Sequence, residues 1–312
     1  MHCPHRLLLM ALALSVTLGC SRLPAAPEDI DNLAHYFFSG LDQHADDAMV
    51  SGGENLRTWF LTESPELEPI SGALSKMTDD DLLSIELPLS ISQRKLYGVF
   101  ELRHHPECSV DDMRRIYAYN DQQKLQPGKY VEYERTYYEG YPCFEDGACD
   151  WIDYDLNVVA KQLTTKFSYL MRNQMAVFRN KDGEEMLFAK GWLPEPADFP
   201  SGSPASFDQS YLIDVSIPHP SGGVIRLYGL WNAGGAGLGL GAAFWEQSYL
   251  DGVVDWNNRV DELCGRDRNL WQTMPPAPHQ LDELLHNLFA DFESDEATLS
   301  THADELTAWF TA

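Results

Sequence analysis

The chain has 312 residues, with 22 Lys and Arg against 48 Asp and Glu, a formal charge of −26. A surface that acidic repels phosphate backbones and anionic headgroups, which argues against nucleic acid and against peripheral binding to acidic lipid. Hydrophobic residues make up 44% of the chain, enough for a core and too many for bulk disorder.

At the amino terminus, Arg6 precedes an uncharged apolar run from Leu7 to Leu18. A transmembrane helix takes roughly 20 apolar residues, so this run is short for one. Its length fits the apolar region of a secretory signal, roughly 7–15 residues. The stretch Thr17-Leu18-Gly19-Cys20 resembles the lipobox of bacterial lipoproteins, with Thr17 where that family prefers Leu, Val or Ile. The resemblance implies cleavage after Gly19, a lipid on Cys20, and a membrane anchor made of acyl chains. Ser21 in place of Asp resembles the pattern that sorts such proteins to the outer membrane of Gram-negative cells. Cleavage at Ala25 or Ala26 is the alternative. Residues 1–19 thus read as a signal peptide and 20–28 as a lipidated Pro/Ala tether.

Residues 29–62 follow as a helical hairpin that is partly repeated at 279–312. Ile30-Asp31-Asn32-Leu33-Ala34-His35 is echoed by Leu281-Asp282-Glu283-Leu284-Leu285-His286, and Leu56-Arg57-Thr58-Trp59-Phe60 by Leu306-Thr307-Ala308-Trp309-Phe310. Each copy places apolar residues at helical spacing and reads as a helix, a polar connection and a second short helix ending in Trp-Phe. A lone hairpin cannot bury its stripe, so both are expected to lie against the central body or each other.

Between the copies the period changes. Ile85, Leu87, Leu89 and Ile91 alternate with polar residues and proline, which predicts a strand over Ser84 to Ser92, and Lys95 to Arg103 is a second extended run. Ser109-Val110-Asp111-Asp112 opens a short helix, its hydroxyl suited to exposed backbone N–H groups. Six strands are predicted next, at Tyr130 to Tyr138, Trp151 to Val159, Lys166 to Arg179, Glu184 to Trp192, Gln209 to Ile217 and Val224 to Trp231. Asp182-Gly183 and Gly222-Gly223 mark hairpin turns. Ala242 to Cys264 reads as one long amphipathic helix, and prolines within 275–278 end this body.

Apart from Cys3 and Cys20, four cysteines remain, an even number that suits two disulfides in an exported protein. Three pairings exist. Cys143–Cys149 would close a Gly- and Asp-bearing loop, leaving Cys108–Cys264 as a long-range staple. A zinc site is the alternative, but there is no CxxC spacing and no His at ligand spacing beside them.

Strands, short helices, an antiparallel meander and a closing helix: that order resembles the START-like (helix-grip) superfamily over roughly residues 95–265, within a domain set at 84–265. The strand at Ser84 to Ser92 and the two disulfides depart from the family pattern. The resemblance implies an α+β fold in which a curved antiparallel sheet wraps a long C-terminal helix around an apolar cavity. Members mostly bind lipids, sterols or aromatic molecules, and some catalyse cyclisation or dehydration. Independently, Tyr133 with Tyr137, Ile152 with Tyr154, Phe167 with Tyr169, and Tyr211 with Ile213 each share a strand face. Tyr133, Arg135, Tyr137, Tyr154, Phe167 and Tyr169 are therefore the candidate ligand-lining residues, against a reading in which these rings simply fill a core. Arg135, the one cation in register with Tyr133 and Tyr137, needs an acid partner, from a ligand or from an internal Asp or Glu.

Other motifs are thin. Gly237-Leu238-Gly239-Leu240-Gly241-Ala242 superficially fits a dinucleotide fingerprint, but no parallel strand follows the helix. Asp146, Asp150, Asp153 and Asp155 lack EF-hand spacing and read as a solvated acidic edge, as does Asp79-Asp80-Asp81. His104-His105 reads as a polar strand end, and His35 and His286 as packing residues of the repeat. No motif calls for a metal or cofactor, and Ser, His and Asp are plentiful without forming a placed triad. The functional expectation is a membrane-anchored lipoprotein binding a small apolar or amphipathic ligand. Its alternatives are a scaffold docking an unknown protein through the Trp-Phe hairpins, and a hydrolase or cyclase.

Overall fold

The computed structural model describes residues 22–41, 46–86, 96–119, 125, 130–141, 143–144, 147–162, 165–203, 205–235 and 242–268. Cys20, residues 87–92 of the strand expected over Ser84 to Ser92, the glycines of 237–241 and the hairpin at 279–312 lie outside these residues.

Eight strands form one sheet: β1 (Ile70–Leu74), β2 (Tyr97–His105), β3 (Tyr130–Glu139), β4 (Trp151–Gln162), β5 (Thr165–Arg179), β6 (Glu185–Trp192), β7 (Ser206–Pro218) and β8 (Val224–Gly235). Their order is β1-β2-β8-β7-β6-β5-β4-β3, and every ladder is antiparallel. A dinucleotide fold, which needs parallel strands, is thereby ruled out for this sheet. The chain runs from β3 to β8 as a meander, and β8 then pairs with β2. Among the described helices, α1 (Glu28–Gly40) and α2 (Asp46–Glu63) lie on one face of the sheet, called the outer face here. α4 (Val110–Ala118) and α5 (Ala242–Cys264) lie on the opposite, inner face, and α3 (Asp79–Leu83) sits beside α1. The fold is α+β, an antiparallel sheet with a long C-terminal helix on one face, in a helix-grip-like arrangement.

The outer face explains the amino-terminal hairpin. Ile30, Ala34, Phe37 and Phe38 recur at the 3.6-residue period of α1, and Met49, Leu56 and Phe60 do so on α2. These side chains close over Phe100, Phe188, Ile213, Ile217, Leu227 and Trp231 of the sheet. Gly53 permits the approach, because a Cβ there would stand 2.7 Å from Met186 Sδ. Phe60 is thus core, whereas Trp59 is partly buried, and at 18 residues α2 is longer than the short second helix expected.

Several expectations need correction. Asp79-Asp80-Asp81 is the first turn of α3, where Asp81 and Thr78 form a capping box and Asp81 is 1% exposed. Ser84 to Glu86 form a turn after this helix, with Ile85 buried, instead of beginning a strand. β1 is a strand that periodicity did not mark. The segment read as a tether runs beside β1: Ala25 bridges Ala73, Ala26 N donates to Ala73 O at 2.8 Å, and Ala73 N donates to Pro24 O at 2.8 Å. Ser109 caps α4 through a reciprocal box with Asp112, and α5 spans Ala242–Cys264. Cys108–Cys264 and Cys143–Cys149 are disulfides, with Cα separations of 5.0 and 5.3 Å.

Candidate functional site

The inner face gathers the side chains that sequence singled out. Strand register sets Tyr133 opposite Val158, Arg135 opposite Leu156 and Tyr137 opposite Tyr154. On the next strand, Tyr169 faces Val158 and Phe167 faces Ala160. All six candidates therefore share one face, in two clusters. In the first, Arg135 lies over the Tyr154 ring at 4.5 Å and over Tyr133 at 5.5 Å, and Tyr137 stacks on Tyr141 at 4.0 Å. In the second, Phe167 stacks on Phe199 at 4.6 Å while Phe207 meets Tyr169 edge-on at 5.5 Å. Tyr211 and Ile213 share a face as expected, and it is the outer one, where Tyr211 is buried against Phe38.

Among the described residues Arg135 does not find the internal acid that was expected. Its Nη1 donates to the Ala118 carbonyl at 2.9 Å, and its Nη2 donates to the Tyr117 carbonyl at 2.7 Å and the Tyr133 hydroxyl at 3.0 Å. Tyr117 and Ala118 end α4, so the guanidinium meets the negative end of the helix dipole, about half an elementary charge. Arg135 Nε, Ser216 Oγ and Asn232 Oδ1, all buried, have no hydrogen-bond partner among the described residues. Burial pushes the Tyr154 phenol up to about 12, so it faces Arg135 as a neutral group.

Deeper on the same face is a polar network that sequence reading missed. Arg226 of β8 is 0% exposed and Asp214 of β7 is 2% exposed; Nε and Nη2 donate to the two carboxylate oxygens at 3.0 and 2.5 Å. The Tyr117 hydroxyl joins both residues, and Arg226 Nη1 donates to Asn257 Oδ1 on α5. Asn257 Nδ2 in turn donates to Glu101 Oε2 at 2.5 Å, and Arg103 Nη2 donates to Glu101 Oε1 at 2.8 Å. Burial raises the Tyr117 pKa well above its usual value, keeping that hydroxyl protonated. One signal in the sequence marks this pair: an Arg inside Val224-Ile225-Arg226-Leu227 and an Asp inside Leu212-Ile213-Asp214-Val215, each charge embedded in an apolar strand.

The histidines also depart from expectation. His105 is fully buried, its Nδ1 2.7 Å from Asp261 Oδ1, while His104 Nε2 donates to the Gly222 carbonyl at 2.9 Å. His35 is held by polar contacts to Asp81 and Ser75 in addition to the Trp231 ring. Asp155 is buried and accepts from the Tyr138 hydroxyl at 2.6 Å, unlike a solvated edge, and Asp150 pairs with Arg179 at 2.7 Å. Asp146 lies outside the described residues. Among the described residues no three His, Cys, Asp or Glu side chains gather as a metal site, and no helix is long and apolar enough to cross a membrane. Between α1 and α2, Leu33, Tyr36, Gly52 and Trp59 line a groove of about 770 Å³.

No protein-family model matches the chain, and no curated protein does. Solved structures similar in chain path include a STAR-related lipid transfer protein from Xanthomonas axonopodis, at TM-score 0.39 and 7% identity over 63% of this chain and 93% of that one. Human StAR-related lipid transfer protein 5 superposes at TM-score 0.36 and 7% identity, covering 70% of this chain and 97% of that one. Human STARD10 does so at TM-score 0.36 and 7% identity, covering 64% and 84%.

Proposed function

We propose that the inner face binds a small amphipathic molecule, with its apolar body against the tyrosine and phenylalanine clusters and an anionic end on Arg135. The observation that carries this reading is the guanidinium itself. Among the described residues it is screened by three tyrosines, bonded only to neutral oxygens, and left with an unused Nε. A partial helix-end charge offsets only part of a unit cation, and a carboxylate or phosphate supplies the rest through a charge-assisted pair. The chain does this at a membrane, tethered through a lipidated Cys20, a reading that rests on the run Leu7 to Leu18 and on Thr17-Leu18-Gly19-Cys20.

A dansylated fatty acid and its methyl ester, titrated into the full chain, test the binding reading by fluorescence. The acid binds saturably and the ester about tenfold or more weakly, and R135M abolishes the difference. Absence of saturable binding, or equal preference in R135M and the parent, overturns it. For the anchor, a C20S chain that still matures and partitions with envelope membranes refutes lipidation.

A further inference from the structure

On the outer-face side of the molecule, away from the aromatic face, three residues from three elements meet in line. Ser75, just after β1, has its Oγ 2.9 Å from Nε2 of His35 on α1. Nδ1 of the same ring is 2.6 Å from Oδ2 of Asp81 on α3. From this geometry we infer that Ser75, His35 and Asp81 form a nucleophile, base and orienting acid competent for acyl transfer, a second site independent of the proposed ligand site.

The tautomer follows from the partners. A carboxylate only accepts, so His35 Nδ1 carries the proton toward Asp81, leaving the Nε2 lone pair toward the Ser75 hydroxyl. The ring cannot readily turn away. Asp81 is 1% exposed, and its Oδ2 also accepts from Thr78 N at 2.6 Å and Thr78 Oγ1 at 2.7 Å. The His35 ring lies against Trp231, whose Nε1 donates to the Ser75 carbonyl at 2.7 Å, so one indole steadies both base and nucleophile. Base and orienter are screened from water, while Ser75 is exposed, as an attacking hydroxyl must be.

With a carboxylic ester, Ser75 Oγ bonds to the carbonyl carbon as its proton passes to His35 Nε2. The alcohol leaves with that proton when the ester C–O bond breaks. Water then adds to the acyl-serine, gives its proton to Nε2, and releases the carboxylic acid as the proton returns to Ser75. Ester and water become acid and alcohol. The Ser75 N–H, a natural donor to a developing oxyanion, is held by Asp31 Oδ1 at 2.7 Å. Turnover is accordingly slow, and the site declares itself first as a reactive serine.

A fluorophosphonate probe reads that reactivity directly in the full chain: an Oγ–P bond forms, fluoride leaves, and the proton goes to His35. Peptide mass spectrometry locates the adduct on Ser75, and S75A lacks it. Folded H35Q labels about 100-fold more slowly or worse. Asp81 is a positioning residue: D81N slows labelling of Ser75 and D81E restores part of the rate, which a merely structural loss does not do. If Ser75 stays unlabelled, or H35Q labels it as fast as the parent, the inference fails. Should H35Q not fold, labelling of the parent that is no faster on Ser75 than on its other serines overturns it equally.

Discussion

Removing either member of the Arg226–Asp214 pair should destabilise the protein far more than removing both. Arg226 is 0% and Asp214 2% exposed, so neither charge reaches water. In R226M, Asp214 keeps the Tyr117 hydroxyl but loses both guanidinium donors. In D214L, Arg226 keeps Asn257 and Tyr117, neither of them charged. Stranding one ion of a buried pair costs about 3–5 kcal/mol, whereas replacing both by apolar side chains of similar size is often close to neutral. Each single variant should therefore lose about 4 kcal/mol, and the double variant much less than the sum. Urea unfolding under oxidising conditions measures this. With a slope of about 3 kcal/mol per M, 4 kcal/mol lowers the midpoint by about 1.3 M. Singles that each cost under about 1 kcal/mol, or a double variant equal to their sum, refute the claim that the pair is desolvated and mutually dependent.

Three further outcomes follow from the same structure. C108S/C264S, which opens a loop with a sequence separation of 156, should lose about 5 kcal/mol on the chain-entropy account, against about 2 for C143S/C149S with its separation of 6; equal effects in chemical unfolding refute that ranking. Burial holds the His105 pKa below 6.5, aided by Arg226 and Arg103 and opposed by Asp261. The unfolded chain therefore takes up this proton first, and stability falls as pH drops below about 6.5, by up to about 1.4 kcal/mol per unit; H105Q should flatten that fall in melting curves between pH 7.5 and 5.5, leaving the part due to His219, whose pKa burial and His104 also lower. Gly140 has φ of +83° and its Cβ would strike the Trp151 carbonyl, while Gly183 has φ of +81° with nothing within 4 Å. G140A should therefore cost several kcal/mol and G183A only about 1–2, the left-handed backbone alone, and similar melting temperatures for the two contradict it.

The meander and α5 were legible in the sequence because each carries many residues of unbroken pattern: β3 to β8 fell close to their expected limits, and α5 at both ends. β1 was not, since Ile70-Ser71-Gly72-Ala73-Leu74 is short and its pairing with β2 is entirely tertiary. Which side of the sheet Tyr211 and Ile213 face was not legible, for a physical reason. Helices cover both sides of the sheet, so β7 is buried on both faces and period-two alternation disappears, and a bulge between Phe207 and Gln209 resets the register. In β3, whose even-numbered side chains Glu132, Glu134 and Thr136 face water, alternation survived, and Tyr133, Arg135 and Tyr137 were placed together. The triad of Ser75, His35 and Asp81 spans three elements, two of which sequence did not mark, so no local pattern could have joined them.

The bond between Cys108 and Cys264 acts on motion as well as on stability. Cys108 lies just before α4 and Cys264 ends α5, so the two elements over the inner face are riveted at one extremity. Phe244 and Trp245 stand at the end of α5 farthest from this bond. Reducing that bond would leave the helix tied to the sheet by polar contacts such as Arg226–Asn257 and His105–Asp261.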